Sequence, residues 1–170
     1  MTAEIKPRKP TRLHGYDYST PTKYFLTVCV KNKKKLLGEI VGCGDFDAPK
    51  MILSKRGKIL DKYINLMNEK YSHINVDKYV IMPNHFHLIL EITDYKNGAS
   101  ETAAPYNNET SKFILLLKRY CNREYGENIW QRSFNDHIIR GENDYLKIWE
   151  YVNSNALKWQ QDCFYTKEKE

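Results

Sequence analysis

The spacing of apolar and polar positions changes along the chain, and each change predicts an element. Residues 24–30, Tyr-Phe-Leu-Thr-Val-Cys-Val, are largely β-branched or aromatic between polar flanks and predict a first strand. A shorter strand is predicted at Met51 to Leu53, and the Gly-Cys-Gly-Asp-Phe-Asp-Ala-Pro run before it has the composition of a turn. From Ser54 the period becomes helical: Ile59, Leu60, Tyr63, Ile64, Met67 and Tyr71 form one apolar face, and Ser54 is a suitable N-cap. Residues 79–83 and 85–92, meeting at Pro83 and Asn84, predict a pair of strands around a tight turn.

Residues 94–110 have the composition of a long loop. A helix is predicted from about Ser111 to Tyr125, with Phe113, Ile114, Leu116, Leu117, Tyr120 and Cys121 on it. Residues 130–140 have strand character, and Gly141, Glu142 and Asn143 punctuate the entry to a last helix, Asp144 to about Gln161. The order is strand, strand, helix, strand, strand, helix, strand, helix. It predicts an α+β fold close to the ferredoxin-like arrangement, a mainly antiparallel sheet with helices on one face and a C-terminal helix that bears a tyrosine.

At 170 residues with 41% hydrophobic content, the chain is expected to build one core and one domain, with residues 1–14 as a basic arm. The N-terminus is polar and basic, and no apolar run is long enough to cross a bilayer. A cytoplasmic protein without a membrane partner is expected. Cys29, Cys43, Cys121 and Cys163 are scattered, with no CxxC pair, which favours reduced structural thiols over a zinc site or a disulfide framework.

The formal net charge of +6 favours a polyanionic partner. Two clusters carry much of it: Lys6, Arg8, Lys9 and Arg12 in the arm, and Lys31, Lys33, Lys34 and Lys35 after the first strand. These are either phosphate contacts or a solvated arm and loop.

Candidate chemistry narrows the field. In a strand, His85 and His87 point one way while Phe86, Leu88, Leu90 and Ile92 point the other. Two imidazoles roughly 6.6 Å apart along the backbone can chelate one transition metal, leaving positions open for catalysis. They can equally be polar residues on the exposed face of a half-buried strand. Glu91 shares their face but lies about 13 Å from His87, too far to complete the set. On the last helix Tyr151 and Asn155, four residues apart, share a face, either as a phenol and an amide entering one site or as a rim aromatic beside a solvated amide. His137 and Asp136 read as structural residues of the preceding strand.

The run Pro-Asn-His-Phe-His-Leu-Ile-Leu, 83–90, resembles the histidine–hydrophobe–histidine (HUH) signature of the single-tyrosine transposases. Residues 129–159 are similar to the closing segment of the REP-associated tyrosine transposases: Trp130-Gln131, then Phe134 through Asp136, His137, Ile139 and Arg140, then Tyr151 followed four residues later by Asn155. Residues 15–32 are similar to the family's opening, so the resemblance covers most of the chain apart from 94–110. It implies Tyr151 as nucleophile and His85, His87 and Asn155 as metal ligands, with Mg²⁺ or Mn²⁺ as cofactor. The implied partner is single-stranded or hairpin DNA, cleaved and transferred through a 5′-phosphotyrosine by a monomer or homodimer. The chain departs from the family at Ala156, where proline is usual, and alanine is expected to let the helix run straight.

Two other functions fit parts of this pattern. A hairpin-binding protein descended from a transposase would bind DNA without forming a covalent adduct. A metal phosphohydrolase would use the histidines with further carboxylates and would be indifferent to Tyr151.

Overall fold

Strand β1 (Thr22–Cys29) organises the molecule, because its alternate residues face two different layers. The structure, a computed structural model, describes residues 15–18, 20–42, 48–93 and 108–166. Tyr24, Leu26 and Val28 are fully buried in the main core. Phe25 packs instead into a second cluster on the opposite face.

β1 pairs antiparallel with β5 (His85–Ile92) on one side and β6 (Asn135–Ile138) on the other, and β4 (Ile74–Met82) completes the sheet beyond β5. The order β4-β5-β1-β6 is that of two interleaved split β-α-β units. Helix α1 (Lys55–Lys70) links β1 to β4, and α2 (Glu109–Tyr125) links β5 to β6. Both helices cover the face lined by Phe86, Leu88, Leu90 and Ile92. Helix α3 (Glu142–Ser154) covers the other face, where Val152 meets Ile89 and Ile139. The fold is therefore α+β as expected, with the tyrosine helix set apart from the other two.

Ser54 caps α1: its hydroxyl accepts from the Gly57 amide and donates to the Leu36 carbonyl. Gly57 sits where a β-carbon would collide with the Leu37 carbonyl oxygen, so α1 approaches that segment at backbone distance. Asn108 caps α2, which begins two residues earlier than the apolar pattern indicates. Gly126 ends α2 in the left-handed conformation at φ 74°.

Four expectations need adjustment. A strand at β2 (Gly38–Val41) pairs with β3 (Lys50–Leu53) as a separate hairpin. Its alternation is short and glycine-led, so it carries little local signal. β4 starts at Ile74, since Asn75 and Asp77 occupy polar positions that hydrophobic runs do not mark, and its pairing shifts register between Val76 and Lys78. Only Asn135–Ile138 of the 130–140 run is strand. The last helix ends at Ser154, followed by turns and a 3-10 turn at Trp159–Gln161. Ala156 thus does not extend the helix.

The arm at 1–14, Cys43 and residues 94–107 lie outside the described residues. Cys29, Cys121 and Cys163 are unpaired thiols. Among the described residues no helix is long and apolar enough to cross a membrane.

Candidate active site

β5 is an interior strand with α1 and α2 over one face and α3 over the other, so all its residues but Glu91 are buried. His85 is opposite Cys29 and Met82, and His87 is opposite Thr27 and Val80. Both rings project toward α3 and both are almost wholly buried. Their Nε2 atoms are 3.0 Å apart.

The surrounding hydrogen bonds set how these rings carry their protons. Asn84 donates through Nδ2 to the carbonyls of Phe164 (2.8 Å) and Lys33 (3.2 Å), which turns its Oδ1 toward His85 Nδ1 at 2.8 Å. An amide oxygen only accepts, so His85 Nδ1 holds the proton and Nε2 presents a bare lone pair. His87 Nδ1 meets the Thr27 hydroxyl at 2.8 Å, which can accept or donate. Burial, with like charge from Lys33 and His85 respectively, pushes the two imidazoles down to about 3, so both are neutral near pH 7.

α3 brings Tyr151 and Asn155 to the same place. The Tyr151 hydroxyl is 3.4 Å from His87 Nε2, and the phenol ring lies edge-on to Phe25, which itself stacks on His87. Asn155 is buried, and its Oδ1 has no hydrogen-bond partner among the described residues. The tyrosine and the histidines come together within one chain.

The residue missed by sequence reading is Asp162. After α3 the chain turns back, and Asp162 Oδ2 comes within 3.3 Å of the Tyr151 hydroxyl, 3.4 Å of Asn155 Nδ2 and 3.9 Å of His85 Nε2. Ligand atoms of His85, His87 and Asp162 all lie within 4.8 Å of one another, a spacing at which three groups can hold one metal ion. A helix running to Gln161 would have carried Asp162 about 16 Å from Tyr151 along the axis. Phe164 and Trp159 pack against His85, and Lys33 donates to the Cys163 carbonyl, which fastens the tail.

Burial, then the Asp162 charge, pushes the Tyr151 phenol up to about 12. Of the predicted basic residues, Lys33 reaches this tail and Lys35 lies over Tyr165. Lys31 donates to the Asn128 carbonyl, and Lys34 is exposed. Lys6, Arg8, Lys9 and Arg12 lie outside the described residues. Glu91 pairs with Lys23, away from the histidines. His137 and Asp144 form a structural pair at the start of α3.

The chain is 31% identical to an uncharacterised protein of Haemophilus influenzae over 96% of each chain. It is 27% identical to another protein of that organism, named "Putative REP-associated tyrosine transposase", over 46% of this chain and 47% of that one. A solved structure described as a REP-associated tyrosine transposase bound to a REP hairpin shares the fold, with a TM-score of 0.61 at 20% identity over 87% of this chain and 74% of the other. No protein-family model matches the chain. With the HUH pair at 85–87, the tyrosine helix and this fold in place, the chain is similar to the REP-associated tyrosine transposases in both sequence and fold.

Proposed function

We propose that this protein cuts single-stranded DNA and transfers the strand through a 5′-phosphotyrosine on Tyr151, using a divalent metal held by His85 and His87. The observation that carries this is the convergence of one phenol hydroxyl, two imidazole nitrogens and one carboxylate in a single cluster, its histidines buried and its tyrosine open to solvent. DNA of hairpin form as the partner is supported by the hairpin bound to the structurally similar transposase.

The donor set fits a cation. His85 Nε2 offers a lone pair, and His87 Nε2 does the same once Nδ1 donates to Thr27. Asp162 supplies negative charge, and the unpartnered Asn155 Oδ1 supplies a further neutral oxygen. Mixed nitrogen and oxygen donors suit Mn²⁺, while Mg²⁺ favours oxygen. When bound, such an ion neutralises and orients the scissile phosphate.

The chain's residues account for the rest. Phe25 and His87 fix the phenol ring, and the Asp162 carboxylate accepts its hydrogen bond and aims the oxygen. A phenol held near 12 is protonated at neutral pH, so it must give up its proton as it attacks, and Asp162 Oδ2 is an adjacent acceptor. The phenol oxygen bonds to phosphorus, the bond from phosphorus to the 3′ oxygen breaks, and that oxygen takes up a proton. Attack by another 3′-hydroxyl reverses these steps and rejoins the strand. Tyr151 faces the histidines of its own chain, an arrangement a monomer can use.

The test is incubation with a labelled hairpin-containing single strand and Mn²⁺ or Mg²⁺, followed by a denaturing gel. A metal-dependent protein–DNA band that disappears in Tyr151→Phe is the expected outcome. Binding with no band under either metal would favour the hairpin-binding function. Equal cutting by Tyr151→Phe would favour a metal-bound water nuclease, for which Asp162 supplies a carboxylate.

A further inference from the structure

A cavity of about 580 Å³ lies between α2 and the segment carrying Asn128 to Arg132. Four of its lining residues are cationic, Lys31, Lys118, Arg119 and Arg132, and none is acidic. None of the four forms an ion pair with a carboxylate among the described residues. Among the described residues Lys118 donates to neutral acceptors, the carbonyls of Gln131 at 2.8 Å and Ser133 at 3.3 Å. Burial holds this ammonium down to about 8.

Two of the lining residues each hold one enclosed polar atom without a partner among the described residues. Trp130 is 1% exposed and its indole N–H donates to nothing among the described residues, while the buried Asn122 Oδ1 accepts nothing. Uncompensated positive charge in a concave site selects an anion.

Backbone hydrogen bonds tie the cavity wall to the strand that neighbours the histidine pair. Gln131 donates to the Cys29 carbonyl at 2.9 Å, and Lys31 donates to the Ile129 carbonyl at 2.8 Å. Cys29 is paired directly with His85. The wall of the cavity is thus fastened to the end of β1 that pairs with His85 and His87 of β5.

We propose that this cavity binds backbone phosphate of single-stranded DNA, with Arg119 and Arg132 as the contacting cations. The proposal rests on reading the chain as a single-strand DNA nuclease and gives that reading a second contact beside the histidines. Four dispersed cations in a space of this size suit successive phosphates along a strand better than one small anion. Leu115, 54% exposed at the same cavity, offers apolar surface to a base.

The experiment measures binding of a labelled hairpin-containing oligonucleotide without metal, in a Tyr151→Phe background, as a function of chloride concentration. Arg119→Ala with Arg132→Ala should weaken binding by tenfold or more and make the log–log salt dependence shallower by about 1.4, at about 0.7 per lost single-strand contact. Lys55→Ala with Lys58→Ala, which removes the same charge from exposed positions on α1, should leave both quantities close to the parent's. Equal unfolding temperatures show that both variants are folded. An unchanged slope in the Arg119 and Arg132 variant overturns the proposal, as does an equal change in the control. Inorganic phosphate matched to chloride in ionic strength should displace no more DNA than chloride does. If it does displace more, and only in the presence of the two arginines, the cavity is a free-anion site and the proposal falls. The covalent-adduct assay on otherwise wild-type protein separates the two readings. An adduct with no slope change removes the cavity alone, and a slope change with no adduct keeps the cavity and removes the tyrosine chemistry.

Discussion

Asp162 and Asn155 are two candidates for one position, the third metal ligand, and their chemistry separates them. The resemblance implies the amide, whereas the carboxylate joins the histidines in the structure and brings a full charge. The same carboxylate accepts from the Tyr151 hydroxyl and, after burial, is the next cause of that phenol's upward shift to about 12. Asp162→Asn should therefore weaken Mn²⁺ binding by about tenfold or more, measured by calorimetry, because losing a ligand costs at least as much as losing a supporting contact. It should also move the phenol's titration down toward 10, measured by ultraviolet absorbance difference against Tyr151→Phe. Unchanged Mn²⁺ affinity in Asp162→Asn together with a loss in Asn155→Ala would return the role to the amide.

Among the elements, α1 shows where local propensity and packing disagree. Alanine is better than glycine inside a helix by about 1 kcal/mol, so helix propensity alone says Gly57→Ala should stabilise. A β-carbon there meets the Leu37 carbonyl oxygen, a backbone atom that cannot rotate away. Gly57→Ala should instead destabilise by about 1–3 kcal/mol, the usual cost of overpacking, seen as a lower urea midpoint with an unchanged slope. A higher midpoint would mean that α1 can shift outward from the β2–β3 side. The helical spacing and the Ser54 cap were legible in the sequence, because both depend on neighbours within one turn. The contact at Leu37 was not, because it joins segments 20 residues apart.

Across the whole molecule, the buried histidines couple the site to global stability. An exposed histidine in the unfolded chain titrates near 6.5, while His85 and His87 are held down to about 3 by burial. Between those values the unfolded chain binds more protons, so stability is full above 6.5 and is lost as pH falls toward 3. In chelator, chemical denaturation should show stability falling below pH 6.5 by at most about 1.4 kcal/mol per unit for each histidine. His85→Gln with His87→Gln should flatten that dependence, and an equally steep profile in the double variant would assign acid sensitivity to other groups.

Taken by itself, the sequence determined the order of most elements and the face each candidate residue occupies. Alternation puts His85 and His87 on one side of a strand, and a four-residue step puts Tyr151 and Asn155 on one side of a helix, since both periods come from local backbone hydrogen bonding. Only the tertiary structure decided that these two faces meet. That depends on a sheet order, β4-β5-β1-β6, in which β5 becomes an interior strand and α3 covers the face opposite to α1 and α2. It also decided the place of Asp162, which reaches the site because the chain turns back after Ser154 and packs Trp159 and Phe164 on His85. No period marks such a return, because the contacts that stabilise it lie about 80 residues away in the chain.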